Sequence, residues 1–184
     1  MASDNRAKAL HTPLSESQTP VEQGPVGKPS ELPRFTKSEL LIIGFGSSMR
    51  GDDAAGPHAA RLLAKKGYRT MDVHQLTPEL AEDIASAREV VFLDAHAELA
   101  PGQIAIERLS ARPSATAPLE HSASPAGLLR LTRRAYGAEP MAWLIGMGGS
   151  DFELSDRLTP AAEIAVERAI EEIIRCTNPG SSRS

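Results

Sequence analysis

The sequence predicts an α/β domain in which a mostly parallel sheet lies between layers of helices. Short continuous apolar runs, which are typical of strands buried on both faces, alternate along the chain with segments of helical periodicity. Strands separated by helices are joined by crossover connections, which favour parallel pairing under helical cover. Binding and active sites in such sheets lie at the carboxyl ends of the strands, so the polar residues that follow the apolar runs are the candidates for a site.

Five strands and four helices are predicted in chain order. The strands are residues 40–45, 68–76, 89–94, 103–108 and 141–146, and 103–108 alternates in polarity like a half-exposed edge strand. The helices are 53–66, a segment that opens at Thr77, 125–136 and 159–176. Thr77 is a favourable N-cap, and Pro78 suits the first turn that follows it. The buried stripe of the last helix is predicted to contain Ile164, Ala165, Ala169, Ile173 and Cys176.

The chain is predicted to hold one folded domain between two loose ends. Residues 1–36 are rich in Pro, Ser, Gln, Lys and Glu and contain few large apolar residues, so we expect a disordered extension. Residues 37–176 form the single α/β domain, and residues 177–184 are expected to be a disordered tail.

Composition restricts the possible partners and the location of the chain. The formal net charge is −4, which argues against general binding to nucleic acids or anionic membranes because both need a basic surface. No apolar stretch approaches the roughly 20 residues of a membrane span, and the N-terminus lacks the apolar core of a secretory signal. The single cysteine, Cys176, cannot form an internal disulfide. We therefore expect a cytoplasmic protein.

The most specific motif is the glycine-rich turn Gly44–Gly56, which follows the first strand and opens a helix. Such a turn often binds the phosphates of a dinucleotide through free backbone N–H groups. Here Asp52 and Asp53 stand where a phosphate would lie, and an acidic pair repels phosphate and favours a cation. An ordinary explanation exists for each acid: Asp52 caps the helix, and Asp53 is a surface acid that compensates the helix dipole. We favour the capping role for Asp52, whereas both interpretations stay open for Asp53.

Two further residues are expected at the same edge of the sheet. Asp94 ends the apolar run 90–93, and His121 lies in a polar loop just before a helix. With Asp53 they would form a cation site of two carboxylates and one imidazole. Taken alone, Asp94 could cap a turn and His121 could be a solvated loop histidine. His96 and His58 are rival histidines, and His96 could instead orient Asp94.

Four motifs in this order resemble the hydrogenase maturation proteases, which complete the large subunits of nickel-iron hydrogenases. The likeness extends from about residue 39 to residue 175. The four motifs are the glycine turn with its acidic pair at 44–56, the strand-end aspartate at 93–95, the histidine loop with its helix at 120–129, and the segment 151–160 before the last helix.

The resemblance implies a fold, a site and a reaction. The fold would be a three-layer sandwich with a twisted five-stranded sheet and one antiparallel edge strand. Asp53, Asp94 and His121 fall on the family's metal-contacting positions, and they would be the catalytic residues of an aspartyl-type endopeptidase. That enzyme carries no permanent metal or other cofactor. Nickel already seated in the large-subunit precursor is the recognition signal, and the enzyme, expected to be a monomer, removes the precursor's C-terminal peptide.

Some positions depart from the family's usual pattern. Ser47 stands where asparagine is usual, Ala54 stands where glycine commonly follows the acidic pair, and position 53 is aspartate where some members have glutamate. The alternative function that uses the same cleft is a non-catalytic nickel-binding maturation chaperone, which would bind the precursor without changing its mass. A nucleotide-binding α/β protein is a third possibility.

Overall fold

One five-stranded sheet organises the chain. The structure, a computed structural model, describes residues 31–111 and 124–178. The strands are β1 (Leu40–Phe45), β2 (Arg69–Val73), β3 (Glu89–His96), β4 (Ile104–Leu109) and β5 (Met141–Gly148). The helices are α1 (Ala55–Lys65), α2 (Leu80–Ala85), α3 (Pro125–Tyr136) and α4 (Pro160–Thr177), and a 3₁₀ turn, Gly51–Ala54, leads into α1. No helix in the described ranges combines the length and the apolar character that a bilayer crossing requires.

The strand order confirms the predicted fold class. The order across the sheet is β2-β1-β3-β5-β4, and the pairs β1–β2, β1–β3 and β3–β5 are parallel. β4 runs antiparallel to β5 at one edge, as the resemblance implies. In register, Gly44 lies opposite Leu93, and Asp94 lies opposite Gly146. The carboxyl ends of β1, β3 and β5 therefore meet at one edge of the sheet.

Helices cover both faces of the sheet and make it the middle of three layers. The side chains of β3 alternate: Val91 and Leu93 belong to the cluster formed with α1 and α4, whereas Val90 and Phe92 belong to the cluster formed with α2 and α3. Ala95 packs against the α1–α4 cluster, so Asp94 lies on the α2–α3 side of the strand. This alternation explains why the strands read as continuous apolar runs in the sequence.

The prediction for the buried face of α4 is wrong at one position. Ala165, Ala169, Ile173 and Cys176 are buried, but Ile164 is 47% exposed. Steps of four, four and three residues already align the buried four on one side of the helix. Ile164 precedes the first of them and is rotated by about 100° from that side.

The folded domain begins earlier than the sequence predicts, because residues 31–36 pack against it. Leu32 and Phe35 are only 4% and 6% exposed. The Phe35 ring meets Trp143 edge-on with the ring centroids 5.1 Å apart, and the Phe35 N–H donates to the carbonyl oxygen of Cys176. Two isolated apolar residues in a polar segment give no periodic signal, so the boundary at residue 37 is too late. Residues 1–30 and 179–184, where the remaining disorder was predicted, lie outside the described residues.

Replacement of Phe35 by alanine should therefore destabilise the whole domain. Loss of the buried ring and its contact with Trp143 should lower the free energy of unfolding by about 3 kcal/mol. Urea unfolding at neutral pH measures the change. The exposed neighbour Ser38 supplies the control, since Ser38→Ala should stay within about 0.5 kcal/mol of the original protein. Equal stability of both variants would show that residues 31–36 are not part of the folded domain.

Candidate active site

The turn between β1 and α1 is built so that the helix begins directly over the ends of two strands. A side chain at Gly56 would place its Cβ 2.4 Å from the carbonyl oxygen of Leu93, so only glycine permits this approach of α1 to β3. Gly46 has φ +139°, and its Cβ would lie 2.0 Å from the carbonyl oxygen of Asp53. The glycines of the motif thus serve close backbone packing, which seats the acidic pair at the carboxyl edge of the sheet.

Asp53 is held inside this turn by the main chain. Its Oδ2 accepts a hydrogen bond of 2.7 Å from the backbone N–H of Ser47, and its own N–H donates to the carbonyl oxygen of Arg50. The Ser47 contact uses the backbone, so the bond does not require a particular side chain at that position. Ala54 has φ −74° and ψ −5°, an ordinary right-handed conformation in which alanine replaces glycine without strain.

Asp94 extends from β3 into the same region and feels the charge of Asp53. The pKa of Asp94 is raised from 3.8 to about 7: burial is the largest cause, the Asp53 carboxylate contributes to the rise, and a hydrogen bond from the Ala95 backbone opposes it. The structure therefore brings two of the three predicted site residues together. A carboxyl group that gains and loses a proton near neutral pH is suited to general acid–base chemistry, and a negatively charged pair is suited to a cation.

Asp52 does not cap α1, which corrects the role favoured from the sequence. Its side chain is fully buried and turns towards the segment between β5 and α4. Its Oδ2 accepts from the backbone N–H groups of Ser150 (2.7 Å) and Asp151 (3.0 Å) and from the hydroxyl of Thr159 (2.8 Å), and its Oδ1 accepts from the Thr159 N–H (2.7 Å). Thr159 is the N-cap of α4. Asp52 therefore ties two distant segments of the chain together at the site edge.

These hydrogen bonds decide the charge of Asp52. Burial alone would raise its pKa, but the bonds from the backbones of Ser150, Thr159 and Asp151 and from the Thr159 hydroxyl outweigh burial and hold the pKa of Asp52 below 3.8. Asp52 is thus ionised at neutral pH, and its neighbour Asp53 is the acid that couples to Asp94. The pairing partners of Asp52 lie about a hundred positions away, so no local pattern in the sequence could reveal them.

His121 lies outside the described residues, so the predicted trio with Asp53 and Asp94 stays a prediction. The described chain resumes at Ser124, whose hydroxyl caps α3 by accepting from the Gly127 N–H at 3.1 Å. α3 leads back to the start of β5 at the opposite edge of the sheet, so its first turn lies towards the carboxyl edge. Within residues 31–111 and 124–178, no three His, Cys, Asp or Glu side chains converge to hold a metal ion.

The other histidines have different surroundings. Burial and the Arg61 charge lower the pKa of His58, whereas Glu163 of α4 opposes them, so His58 faces the helix layer. The Nδ1 of His96 accepts from the backbone N–H of Glu98 at 3.2 Å, so a neutral His96 carries its proton on Nε2. His74 lines a cleft of about 150 Å³ together with Asp72 and other residues of the turn.

The fold is an α/β sandwich of the kind found in hydrogenase maturation proteases. The structure is similar to a [NiFe] hydrogenase maturation protease HybD from Thermococcus kodakarensis, with 22% identity, 76% of this chain and 99% of that chain covered, and a TM-score of 0.62. The hydrogenase maturating endopeptidase HybD from E. coli shares 25% identity over 73% of this chain and 89% of its own, with a TM-score of 0.59. The maturation protease HycI from Thermococcus kodakarensis KOD1 shares 22% identity over 77% and 93%, with a TM-score of 0.60.

The resemblance seen in the sequence motifs is therefore confirmed at the level of the fold. The sequence matches no protein-family model, and no curated protein is significantly similar to it. The likeness lies in the fold, since sequence identity to these three structures is only 22–25%.

Replacement of Asp52 by asparagine should destabilise the domain while Asp53 and Asp94 stay in the chain. One charged acceptor of four hydrogen bonds is lost, so we expect a decrease of about 2–4 kcal/mol in the free energy of unfolding at pH 7. Because the pKa of Asp52 is lowered in the folded state, its stabilising effect is present above pH 3.8 and is lost as the pH falls through the lower folded-state value. Urea unfolding at pH 7 and at pH 3 measures both effects.

The control is Asp72→Asn, which removes an exposed acid paired with Arg61 at 3.1 Å. Its effect should stay below about 1 kcal/mol because exposed ion pairs contribute little. An Asp52→Asn variant as stable as this control at pH 7 would contradict the structural role of Asp52.

Proposed function

We propose that the chain is an endopeptidase that removes the C-terminal peptide from the nickel-loaded large-subunit precursor of a nickel-iron hydrogenase. One observation carries the proposal: in the fold of the maturation proteases, Asp53 and Asp94 lie close enough for the Asp53 charge to raise the pKa of Asp94. Two acids that repel each other in the free protein form a site that is completed by a cation from outside.

The substrate's own nickel would supply that cation. Two carboxylates from Asp53 and Asp94 and an imidazole from His121 suit a borderline divalent ion that is held on its other side by the precursor. The approach of the ion would favour ionised Asp94, and the proton that Asp94 holds in the free protein would be released. A precursor without nickel brings no positive charge to balance the two carboxylates, so it would be left uncut. The enzyme itself holds no permanent cofactor in this proposal.

Hydrolysis needs an activated water and a proton for the leaving amine. Asp94, ionised beside the substrate's nickel, would be a carboxylate placed to take the proton of the attacking water and then pass it to the leaving amine. Nickel seated in the substrate would polarise the scissile carbonyl group. Both contributions require the scissile bond to lie next to Asp53 and Asp94, in agreement with the proposed aspartyl-type activity.

The turn itself favours this function over nucleotide binding. The Ser47 N–H, which a phosphate would use, already donates to the Asp53 carboxylate at 2.7 Å. An anion at the start of α1 would meet Asp53 directly and would be repelled. We therefore propose a protein substrate and no nucleic acid or nucleotide. We place the reaction in the cytoplasm with the enzyme acting as a monomer.

Coexpression with the cognate large-subunit precursor tests the function. Intact mass spectrometry should show that the precursor loses a C-terminal peptide when nickel is supplied and keeps its full mass in nickel-free medium. Asp53→Asn, Asp94→Asn and His121→Ala should each slow processing by at least about 100-fold, since each variant removes a group that contacts the ion or moves a proton. The variants should unfold at temperatures close to that of the original protein.

Asp72→Asn and His74→Ala are the matched controls, because they make the same Asp→Asn and His→Ala changes at two exposed residues. Both should process the precursor normally. Removal of the peptide without nickel would contradict the recognition mechanism. Precursor that is bound but keeps its full mass with nickel present would identify the chain as a maturation chaperone instead.

A further inference from the structure

Two large apolar side chains are exposed beside the acidic pair. Met49 is 64% exposed and Leu154 is 82% exposed, whereas the core residues of both helix layers are almost completely covered. Met49 belongs to the β1–α1 turn, four residues before Asp53, and Leu154 belongs to the segment between β5 and α4. Each costs free energy in contact with water, so their joint position is a feature that needs an explanation.

Backbone pairing places these two side chains next to each other. Arg50 and Ser155 form a parallel bridge in which the Ser155 N–H donates to the Met49 carbonyl oxygen at 3.1 Å and the Gly51 N–H donates to the Ser155 carbonyl oxygen at 2.9 Å. In this register Met49 lies opposite Leu154 on the neighbouring backbone segment, directly beside the bridge. We name these two exposed apolar residues the Met49–Leu154 pair.

The pair is fixed in place by the buried acid Asp52. Its carboxylate binds the backbone of Ser150 and Asp151, and its N–H donates to the Asp151 carbonyl oxygen at 2.8 Å. The Asp53 N–H in turn donates to the Arg50 carbonyl oxygen, so Asp53 lies one turn beyond the bridge. An apolar surface held in a fixed position loses little conformational entropy when it is covered.

The surroundings of the pair favour a protein partner over a second copy of this chain. Its rim is polar and charged with both signs, and consists of the exposed residues Arg50, Glu153, Asp156 and Arg157. An apolar centre with a charged rim is typical of a site that receives another protein. Two side chains are too little to hold a stable dimer, which buries more than about 1,000 Å².

We propose that the Met49–Leu154 pair docks an apolar segment of the precursor beside Asp53 and Asp94. This inference rests on the proposed endopeptidase function. Any precursor that brings nickel and a peptide bond to Asp53 must cover the adjacent turn, and apolar side chains of the precursor then exclude water from both residues. The pair acts on binding of the precursor and makes no contact with the reacting atoms.

Two measurements on the full chain test the docking proposal. The first is the KM and kcat for cleavage of purified nickel-loaded precursor. The second is the Kd for nickel-free precursor, which is not cut and so reports binding alone. Met49→Ala and Leu154→Ala should each raise KM and Kd about tenfold, the factor that corresponds to about 1.4 kcal/mol, and should leave kcat within about twofold. Leu154→Met, which retains an apolar side chain of similar size, should restore binding.

Met141→Ala is the matched control, because Met141 is 46% exposed at the opposite edge of the sheet. It should change neither KM nor Kd. If the original protein cuts the precursor and both alanine variants bind as tightly as Met141→Ala, the docking proposal is overturned while the endopeptidase function stands. If the precursor is bound but not cut, the function fails, and the Kd values alone decide the docking proposal. If the precursor is neither bound nor cut, both are overturned.

Discussion

The repulsion between two acids at the carboxyl edge of the sheet is the interaction on which the account depends. Asp94 loses hydration at the end of β3 and faces the Asp53 carboxylate, and both effects disfavour its ionised form. The folded chain therefore holds a proton on Asp94 near neutral pH, where catalysis can use that proton or a cation can displace it. This arrangement costs stability in the free protein, and such costs are characteristic of sites shaped for function rather than for folding.

Three neighbouring acids divide the tasks of building and using this edge. Asp52 is buried and satisfied by four hydrogen bonds, which join the β1–α1 turn to the N-cap of α4. Asp53, the next residue, is held by the Ser47 backbone, and its charge raises the pKa of Asp94. A single adjacent pair in the sequence thus supplies one structural anchor and one acid whose charge acts on Asp94. Asp52 also anchors the segment that contains the exposed Leu154, so the proposed docking surface and the proposed site share one turn.

Sequence patterns predicted the fold well where the signal was local. The bounds of β1 and α3 match, because a continuous apolar run defines the strand and Ser124 caps the helix before a proline. Asp53 and Asp94 were expected at one edge because parallel strands present their carboxyl ends together. The role of Asp52 was missed, since its partners are distant in the chain, and Phe35 was missed because an isolated aromatic residue in a polar segment has no periodicity.

Titration of the Asp94 carboxyl group by carbon-detected NMR tests the central claim most directly. The account predicts a midpoint near pH 7 in the free protein. In an Asp53→Asn variant the midpoint should move to lower pH but stay above 3.8, because burial remains when the repelling charge is removed. An Asp94 carboxyl that titrates near pH 4 in both proteins would show that the two acids do not meet, and the proposed site would be wrong.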